Sequence, residues 1–252
     1  MRSSVGCGAF GCALLLAAVA RAQEHAAART AFDVPWPTLL VVAALALLPL
    51  LLISATSFAK LAIVFSLLRN AMGAPDVPSA AVVTALAAIL SAYVMAPVAS
   101  DMAKASAPAM ARVDAADPLA GSSRTAVFEA LRLSAPPLAS FLKRNAGEPE
   151  RALFLDLARR ARPGDGADAM SGDDLSVVLP AFLITELKEA FQVGLLVLLP
   201  FVVIDLVVAS LLMALGITML PPSAVALPFK LLLFVLVDGW YVLSQALVSG
   251  YR

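Results

Sequence analysis

The stretch LLVLLPFVVIDLVVASLLMAL, residues 195–215, decides the fold of this chain. Its one charged residue is Asp205. Side chains three and four residues apart are neighbours on a helix. The neighbours of Asp205 are all apolar: Phe201, Val202, Val208 and Ala209. An ionised carboxylate in such surroundings is retained only where it is paired or faces water. Asp205 therefore needs a partner from outside its own helix.

A second apolar stretch, LPFKLLLFVLVDGW (residues 227–240), places Lys230 in the same situation. Its helical neighbours are Ala226, Leu227, Leu233 and Phe234. Neither charge has a local partner, so the partner comes from another helix or another subunit. The pattern predicts an all-α membrane protein of antiparallel helical hairpins that forms assemblies.

Composition supports this class. The chain has 252 residues, of which 61% are hydrophobic and 14% charged, whereas a soluble domain is nearer half apolar and a quarter charged. The net charge is zero, which argues against nucleic acid as a partner. His25 is the single histidine, so the sequence predicts no metal site, no cofactor and no histidine proton relay.

The first 22 residues resemble a secretory signal peptide. Arg2 supplies the charge, residues 9–19 form a short apolar core, and Ala20-Arg21-Ala22 fits a cleavage site. The alternative is an uncleaved anchor, although eleven residues are short for a span. Both cysteines, Cys7 and Cys12, lie in this segment, so a cleaved chain has no thiol.

Residues 23–99 contain two apolar segments of span length. Residues 38–59 are uncharged and residues 80–99 form the second run, and each is long enough to cross about 30 Å of hydrocarbon. Lys60 interrupts the first pattern, which continues to Arg69, and a Gly/Pro turn follows. The two cations favour a cytoplasmic turn, with the next region outside.

Residues 100–174 form a polar module, expected in the periplasm. Residues 101–174 carry 21 of the chain's 36 formal charges. Proline and capping signals predict helices over 122–133 and 137–145 and a third from Pro149, followed by an acidic linker over 163–174. Residues 175–252 return to apolar composition and predict a helical hairpin that turns at 216–222, with a return helix over 223–248.

Several motifs resemble one family in order along the chain. They are TSFAKLAIVFSLLRNAMG (56–73), MAPV (95–98), LPAFLITELKEAFQVG (179–194), LPFVVIDLVVASLLMALG (199–216) and LPFKLLLFVLVDGW (227–240). Together they resemble the FliP/SctR family, the export-gate proteins of flagellar and virulence type III secretion systems. The resemblance covers about two thirds of the chain, and the polar module matches only in position and size.

The resemblance implies a homopentamer that builds a ring or cone in the bacterial inner membrane, through which unfolded polypeptides are exported. It implies partners of the FliR/SctT and FliQ/SctS types, larger export-gate and switch-like components, and membrane lipid. It implies no catalysis, and the sequence has no HExxH or GxSxG motif. Lys60 after TSFA and the ending at residues 238–243 favour the injectisome branch, with the flagellar branch as the alternative.

The resemblance also implies that Glu186 and Lys230 form a salt bridge between neighbouring subunits. Lys188, two residues from Glu186, points to another face of the helix. The alternative for Glu186 is solvation at a helix end. Asp205 and Lys60 are expected as buried charges. Asp205 has three candidate roles, which are pairing with Lys60, pairing with Lys230, and carrying protons in an ion-conducting subunit.

The turn of the C-terminal hairpin corresponds to a methionine-rich pore gasket in the family. Here it reads Ile217, Thr218, Met219 and Leu220, so a single methionine remains. An apolar seal stays plausible, because hydrophobic constrictions gate by dewetting. The alternative is an ordinary hairpin turn.

Overall fold

Every regular element in the described part of the chain is a helix. The computed structural model describes residues 46, 53–74, 78–113, 121–161, 171–217 and 219–251. All of them except residue 46 belong to one compact unit, Leu51–Arg252. The longer helices are α1 (Phe58–Met72), α2 (Ala80–Met110), α3 (Gly121–Asn145), α4 (Glu148–Ala161), α5 (Leu175–Ala214), α6 (Pro222–Leu236) and α7 (Gly239–Ser249). The predicted all-α class is confirmed. The expected signal peptide, residues 1–22, and most of the first apolar span lie outside the described residues.

The first two helices meet at a glycine turn. α1 begins at Phe58 after a break at residues 56–57, inside a run that the sequence predicts as continuous. α1 ends at Gly73, whose φ of 76° suits glycine and whose amide donates to the Asn70 carbonyl. Ser79 caps the N-terminus of α2, and its side chain accepts a hydrogen bond from the Val82 amide. α2 continues to Met110, beyond the expected span over residues 80–99. The boundary predicted at residue 100 between the N-terminal segment and the polar module therefore falls inside this helix.

The polar module contains two of the longer helices, α3 and α4. The prediction of separate helices over 122–133 and 137–145 is wrong, because α3 runs unbroken through Pro136 and Pro137. Both halves of α3 are anchored by buried side chains, Ala126 and Ala130 before the prolines and Phe141 and Leu142 after them. This packing offsets the backbone hydrogen bonds that prolines remove. α4 begins one residue before Pro149, with acidic residues in its first turn and arginines in its last, which suits the helix dipole.

α5, α6 and α7 form the C-terminal hairpin. α5 has 40 residues and includes Pro180 and Pro200. The predicted continuous return helix is wrong, since α6 and α7 are bent by 59° at a short break. Asp238 there has φ 50°, and a Cβ on Gly239 would overlap the Phe234 ring. Asp and Gly are weak helix formers, and the bend stacks Trp240 edge-on against Phe234 at 5.1 Å.

Three apolar clusters hold the helices together, and the smallest joins α5 to α6 through Val208, Leu212 and Ala226. The largest surrounds α1, with fully buried side chains at Leu61, Val64 and Phe65 that pack against α2, α5, α6 and α7. The second joins the polar module to α2 and α5 through Val98, Phe141, Leu142, Val178 and Phe182. Burial of each such side chain contributes about 1.5–3 kcal/mol.

The long helices have the length and composition of membrane spans. Among the described residues, α2 and α5 qualify singly, and α6 with α7 qualifies as one bent span. Only 17% of the most apolar window of α5 is buried inside the chain. Most of its leucines and valines therefore face outward, as lipid or a partner protein requires.

Candidate functional site

Lys230 and Asp205 form an ion pair between the two arms of the hairpin. The Lys230 Nζ lies 2.6 Å from Asp205 Oδ2. Lys230 is buried, whereas the Asp205 side chain is 41% exposed. The charge on α6 thus finds its partner on α5, across helices and within one chain. Of the three candidate roles for Asp205, the structure shows the pairing with Lys230.

The Lys230 ammonium also connects the hairpin to α1. Its Nζ donates to the Ala71 carbonyl at 3.2 Å, in the last turn of α1, where a cation suits the exposed carbonyls. Asp205 Oδ1 is buried without a hydrogen-bond partner among the described residues. Three helices therefore meet at one ammonium group, and one carboxylate oxygen is left unsatisfied.

Lys60 is at the centre of a second charged cluster. Its Nζ lies 3.3 Å from Glu186 Oε1 and 2.6 Å from Glu189 Oε2. Glu186 is 1% exposed and Glu189 is at the surface. The solvated alternative for Glu186 is therefore wrong for this chain. We call Lys60, Glu186, Glu189 and Tyr251 the Lys60 cluster.

Tyr251 completes the Lys60 cluster. Its hydroxyl donates to Glu186 Oε2, and its ring lies 4.2 Å from the Lys60 Nζ and stacks on Phe141 at 6.1 Å. Burial, followed by the Glu186 carboxylate, raises the pKa of Tyr251, so the phenol stays protonated and donates. A buried carboxylate that accepts from a phenol and an ammonium is well satisfied.

Glu186 and Lys230 do not contact each other within one chain, since each has a different partner. The inter-subunit pair between them stays a prediction. Glu189 and Tyr251 were missed at the sequence level. The Glu186–Glu189 spacing of three residues indicates two carboxylates on one face that need a cation, whereas no local pattern marks Tyr251.

The hairpin turn exposes its apolar side chains. Met219 is 95% exposed, and Ile217 and Leu220 are also exposed. Gly216 has φ 70° and redirects the chain after α5. Thr218 lies outside the described residues. The described loop residues thus present an apolar tip that is exposed in the described part of the chain, and the gasket role stays a prediction.

The charged groups at these two sites hold helices together and leave little free for chemistry. Across the described ranges, no three His, Cys, Asp or Glu side chains are placed to bind a metal ion. Long apolar helices with buried, internally paired charges define the class as a helical membrane protein.

The chain belongs to the FliP family, whose model matches residues 41–247. The chain is 43% identical over 221 residues to the hypersensitivity response secretion protein HrcR of Ralstonia nicotianae, covering 87% of this chain and 99% of that protein. It is 41% identical to the Yop proteins translocation protein R of Yersinia pestis, over 84% of this chain and 94% of that one. It is also 41% identical to the flagellar biosynthetic protein FliP of Pectobacterium carotovorum subsp. carotovorum, over 85% and 78% of the two chains.

Proposed function

We propose that this chain is a core export-gate subunit of a type III protein secretion apparatus, through which unfolded polypeptides cross the bacterial inner membrane. The observation that carries the proposal is the FliP family match along residues 41–247. Relatives at 41–43% identity bear secretion and translocation names. The candidate spans α2 and α5 supply the membrane location. The chain acts as a structural conduit and not as an enzyme.

The uncovered apolar surface supports assembly with other membrane chains. Many large apolar side chains in the C-terminal half of α5 are more than half exposed. They are Leu195, Leu196, Leu199, Val203, Leu206, Val207, Leu211 and Met213. We place five copies of the chain in a ring or cone with subunits of the FliR/SctT and FliQ/SctS types. Larger export-gate and switch-like components join this core. Contiguous apolar patches of this kind mark protein or lipid contacts.

The inter-subunit bridge between Glu186 and Lys230 is compatible with this geometry under one condition. Both groups already have partners in the single chain, Lys60 for Glu186 and Asp205 for Lys230. Bridging neighbours therefore requires that internal pairs open or that each group gains a further partner. Such pairs set register more surely than they add stability.

The organisation of the chain follows from this role. The signal peptide is residues 1–22, the N-terminal helices are 23–99, the periplasmic polar module is 100–174, and the gate hairpin is 175–252. The injectisome branch is favoured by Lys60 after TSFA, by residues 238–243, and by the 43% identity to the HrcR relative. The flagellar branch is the alternative.

A charge-swap experiment tests the assembly role. In a strain lacking the native copy, Glu186→Lys and Lys230→Glu each block ring formation and secretion, and the double swap recovers part of both. Native mass spectrometry of the extracted complex and secretion assays provide the measurements. The matched control reverses the exposed pair of Asp101 and Lys104, which leaves both readouts unchanged. The double swap is repeated with Lys60→Glu and Asp205→Lys, so that the internal pairs are swapped as well. No recovery in either background excludes the bridge.

A loop replacement tests the seal. Replacing residues 217–220 by glycines leaves assembly intact and makes the membrane leaky to small molecules, because the apolar constriction is lost. Replacing the exposed stretch 171–174 in the same way is the control. An unchanged leak would show that the loop is an ordinary turn.

A second candidate is a proton-conducting subunit, favoured by the unpartnered, buried Oδ1 of Asp205. Reconstituted vesicles separate the two functions. Proton flux through this chain alone, lost in Asp205→Asn, supports conduction. The export-gate function predicts no such flux and predicts that Asp205→Asn acts on assembly.

A further inference from the structure

Arg144 is a cation with no carboxylate of its own. It is exposed near the C-terminal end of α3. The ion pairs of the described residues do not include it. The acidic groups that line clefts beside it are already engaged, Asp101 by Lys104 and Glu186 and Glu189 by Lys60. The guanidinium is therefore available to an external anion.

Arg144 is at the rim of an apolar cleft. The cleft has a volume of about 470 Å³ and is lined on the α2 side by Tyr93, Val94, Pro97 and Val98. Val248 forms part of the opposite wall. The α2 residues are spaced one, three and four apart, so they form one stripe of the helix. The cleft thus pairs an apolar trough with a single cation at its edge.

The position of this cleft along α2 matches a membrane boundary. The apolar run that begins at Ala80 ends at Asp101, the first charge on α2. Arg144 and Val98 also line a second cleft that includes Asp101. Tyr93, 71% exposed, lies two turns below that charge, where amphipathic aromatics are enriched at bilayer interfaces. Arg144 is therefore level with the lipid headgroups when α2 spans the bilayer.

We propose that this cleft binds one anionic phospholipid, with its phosphate on Arg144 and an acyl chain along the α2 stripe. Guanidinium groups bind phosphate in a bidentate geometry. A single cation near anionic lipid headgroups contributes about 1 kcal/mol to lipid binding. A peptide with an acidic residue satisfies the charge but not the long apolar trough, whereas a lipid satisfies both. The cleft shares Tyr251 with the Lys60 cluster, whereas no described residue of the hairpin turn at 216–222 lines it.

Lipid retention on the isolated chain tests the site, independently of secretion. The protein is extracted in mild detergent and titrated with phosphatidylglycerol or with phosphatidylcholine of the same chains. Bound lipid is counted by native mass spectrometry. Phosphatidylglycerol binds about fivefold more tightly than phosphatidylcholine, the difference that one cation near the headgroup provides. Arg144→Gln removes this difference, and Arg144→Lys retains most of it.

Two further variants distinguish the contact with the lipid headgroup from the contact with the acyl chain. Arg159→Gln is the matched control, since Arg159 is also an exposed arginine in the last turn of a module helix, α4, and is not among the residues lining the cleft. It leaves binding unchanged. Val248→Trp fills the trough and weakens both lipids, which supports the acyl-chain contact.

Four results overturn the proposal. These are equal binding of the two lipids to the wild-type chain, an unchanged preference in Arg144→Gln, an equal loss in Arg159→Gln, and full displacement of phosphatidylglycerol by inorganic phosphate. The last result indicates a phosphate site without an acyl chain. If Arg144→Gln fails to fold, the other two variants replace it. A retained preference for phosphatidylglycerol in Arg144→Lys, together with weaker binding of both lipids to Val248→Trp, supports the proposal. The absence of either effect overturns it.

Discussion

At the scale of single residues, the two buried ammonium groups are held differently. Lys60 faces two carboxylates and a tyrosine ring. Lys230 has one carboxylate and one backbone carbonyl. Asp205 is half-exposed and Lys230 is not, so in detergent, outside the bilayer, water reaches an unpaired Asp205 more readily than an unpaired Lys230. The two members of this pair therefore differ in what their removal costs.

Removing Asp205 is expected to destabilise the chain more than removing Lys230. Asp205→Asn leaves a buried, uncompensated ammonium and costs about 3 kcal/mol. Lys230→Met leaves a half-solvated carboxylate and costs about 1 kcal/mol. Thermal unfolding in detergent measures the order of the two midpoints. Asp101→Asn, in an exposed pair, is the control, and equal midpoints for Asp205→Asn and Lys230→Met contradict the prediction.

The Tyr251 hydroxyl contributes to stability through Glu186. Tyr251→Phe keeps the stacking on Phe141 and removes a hydrogen bond to a buried carboxylate, which costs about 1.5–3 kcal/mol. The unfolding midpoint falls accordingly. Tyr241→Phe, at an exposed ring, leaves it unchanged. A Tyr251→Phe variant as stable as the wild type would remove Tyr251 from the Lys60 cluster.

The sequence identifies the charged residues of both sites but not all of their partners. Asp205, Lys230, Glu186 and Lys60 are visible because charges in apolar runs are costly wherever the fold places them. Pairing depends on which helices pack side by side, and a local pattern of three or four residues carries no such information. Tyr251 reaches Glu186 across 65 residues, so only the tertiary packing reveals it.

At the scale of elements, the break between α6 and α7 is set by one close contact. A Cβ on Gly239 would overlap the Phe234 ring, which packs edge-on against Trp240. Gly239→Ala therefore forces the ring to move or the bend to open, at about 1–3 kcal/mol. The loss appears in thermal unfolding and as altered tryptophan fluorescence at Trp240.

Gly250→Ala is the control for this substitution. A Cβ there lies 3.5 Å from the carbonyl oxygens of Ala246 and Leu247, an ordinary contact. It leaves unfolding and fluorescence unchanged. An equal effect of the two alanines would mean that helix propensity, and not the Phe234 contact, decides the break.

The contact between α4 and α5 depends on pH through Glu150. Lys188 Nζ donates to Glu150 Oε1 at 3.0 Å, and this hydrogen bond lowers the pKa of Glu150 from its ordinary 4.5. A lowered pKa in the folded state adds stability above pH 4.5, and that stability is lost as the pH falls through the folded-state value.

Glu150→Gln is therefore expected to lower stability at pH 7, and by progressively less as the pH falls below 4.5. The difference at pH 7 is below about 1 kcal/mol, because Lys188 is solvated. Differences in unfolding midpoint between variant and wild type at each pH provide the measurement. Glu148→Gln, in the same first turn, is the matched control variant. A deficit for Glu150→Gln that does not shrink as the pH falls would mean that the ion pair is not its cause.

Element type was predictable here because apolar runs and capping residues act locally. It was harder to predict from the sequence where α2 and α5 end, and whether α3 is continuous. Proline penalties favour a break at Pro136, and packing on both sides of it reverses that preference. The opposite occurs at Asp238, where an apolar run suggests continuity and an aromatic contact favours a bend.

At the scale of the whole molecule, α5 is longer than a bilayer is thick. Its 40 residues measure about 60 Å, against about 30 Å of hydrocarbon. Even at a tilt of 40°, the steepest usual value, the hydrocarbon accommodates only about 39 Å of helix. The membrane class was predictable from hydropathy, whereas this excess length depends on where α5 begins.

At least one end of α5 is therefore expected in water. With Cys7 and Cys12 replaced by serine, single cysteines at Ser176 and Ser210 are about 50 Å apart along the helix. A membrane-impermeant maleimide, applied to intact cells and to inverted vesicles, labels at least one of them. Leu195→Cys, between the two and exposed, is the unlabelled control. Protection of both ends would contradict the helix length.

The residues of the Lys60 cluster are synthesised far apart in time. Lys60 and Glu186 are 126 positions apart, and at 5–20 residues per second a ribosome needs about 6–25 s to make the intervening chain. The segment with Lys60 thus leaves the ribosome long before its counterion exists. During that interval the ammonium has to stay in contact with water or with an insertion factor, because hydrocarbon alone does not accept it. The contact from Tyr251 forms later still, because a further 65 positions separate Tyr251 from Glu186.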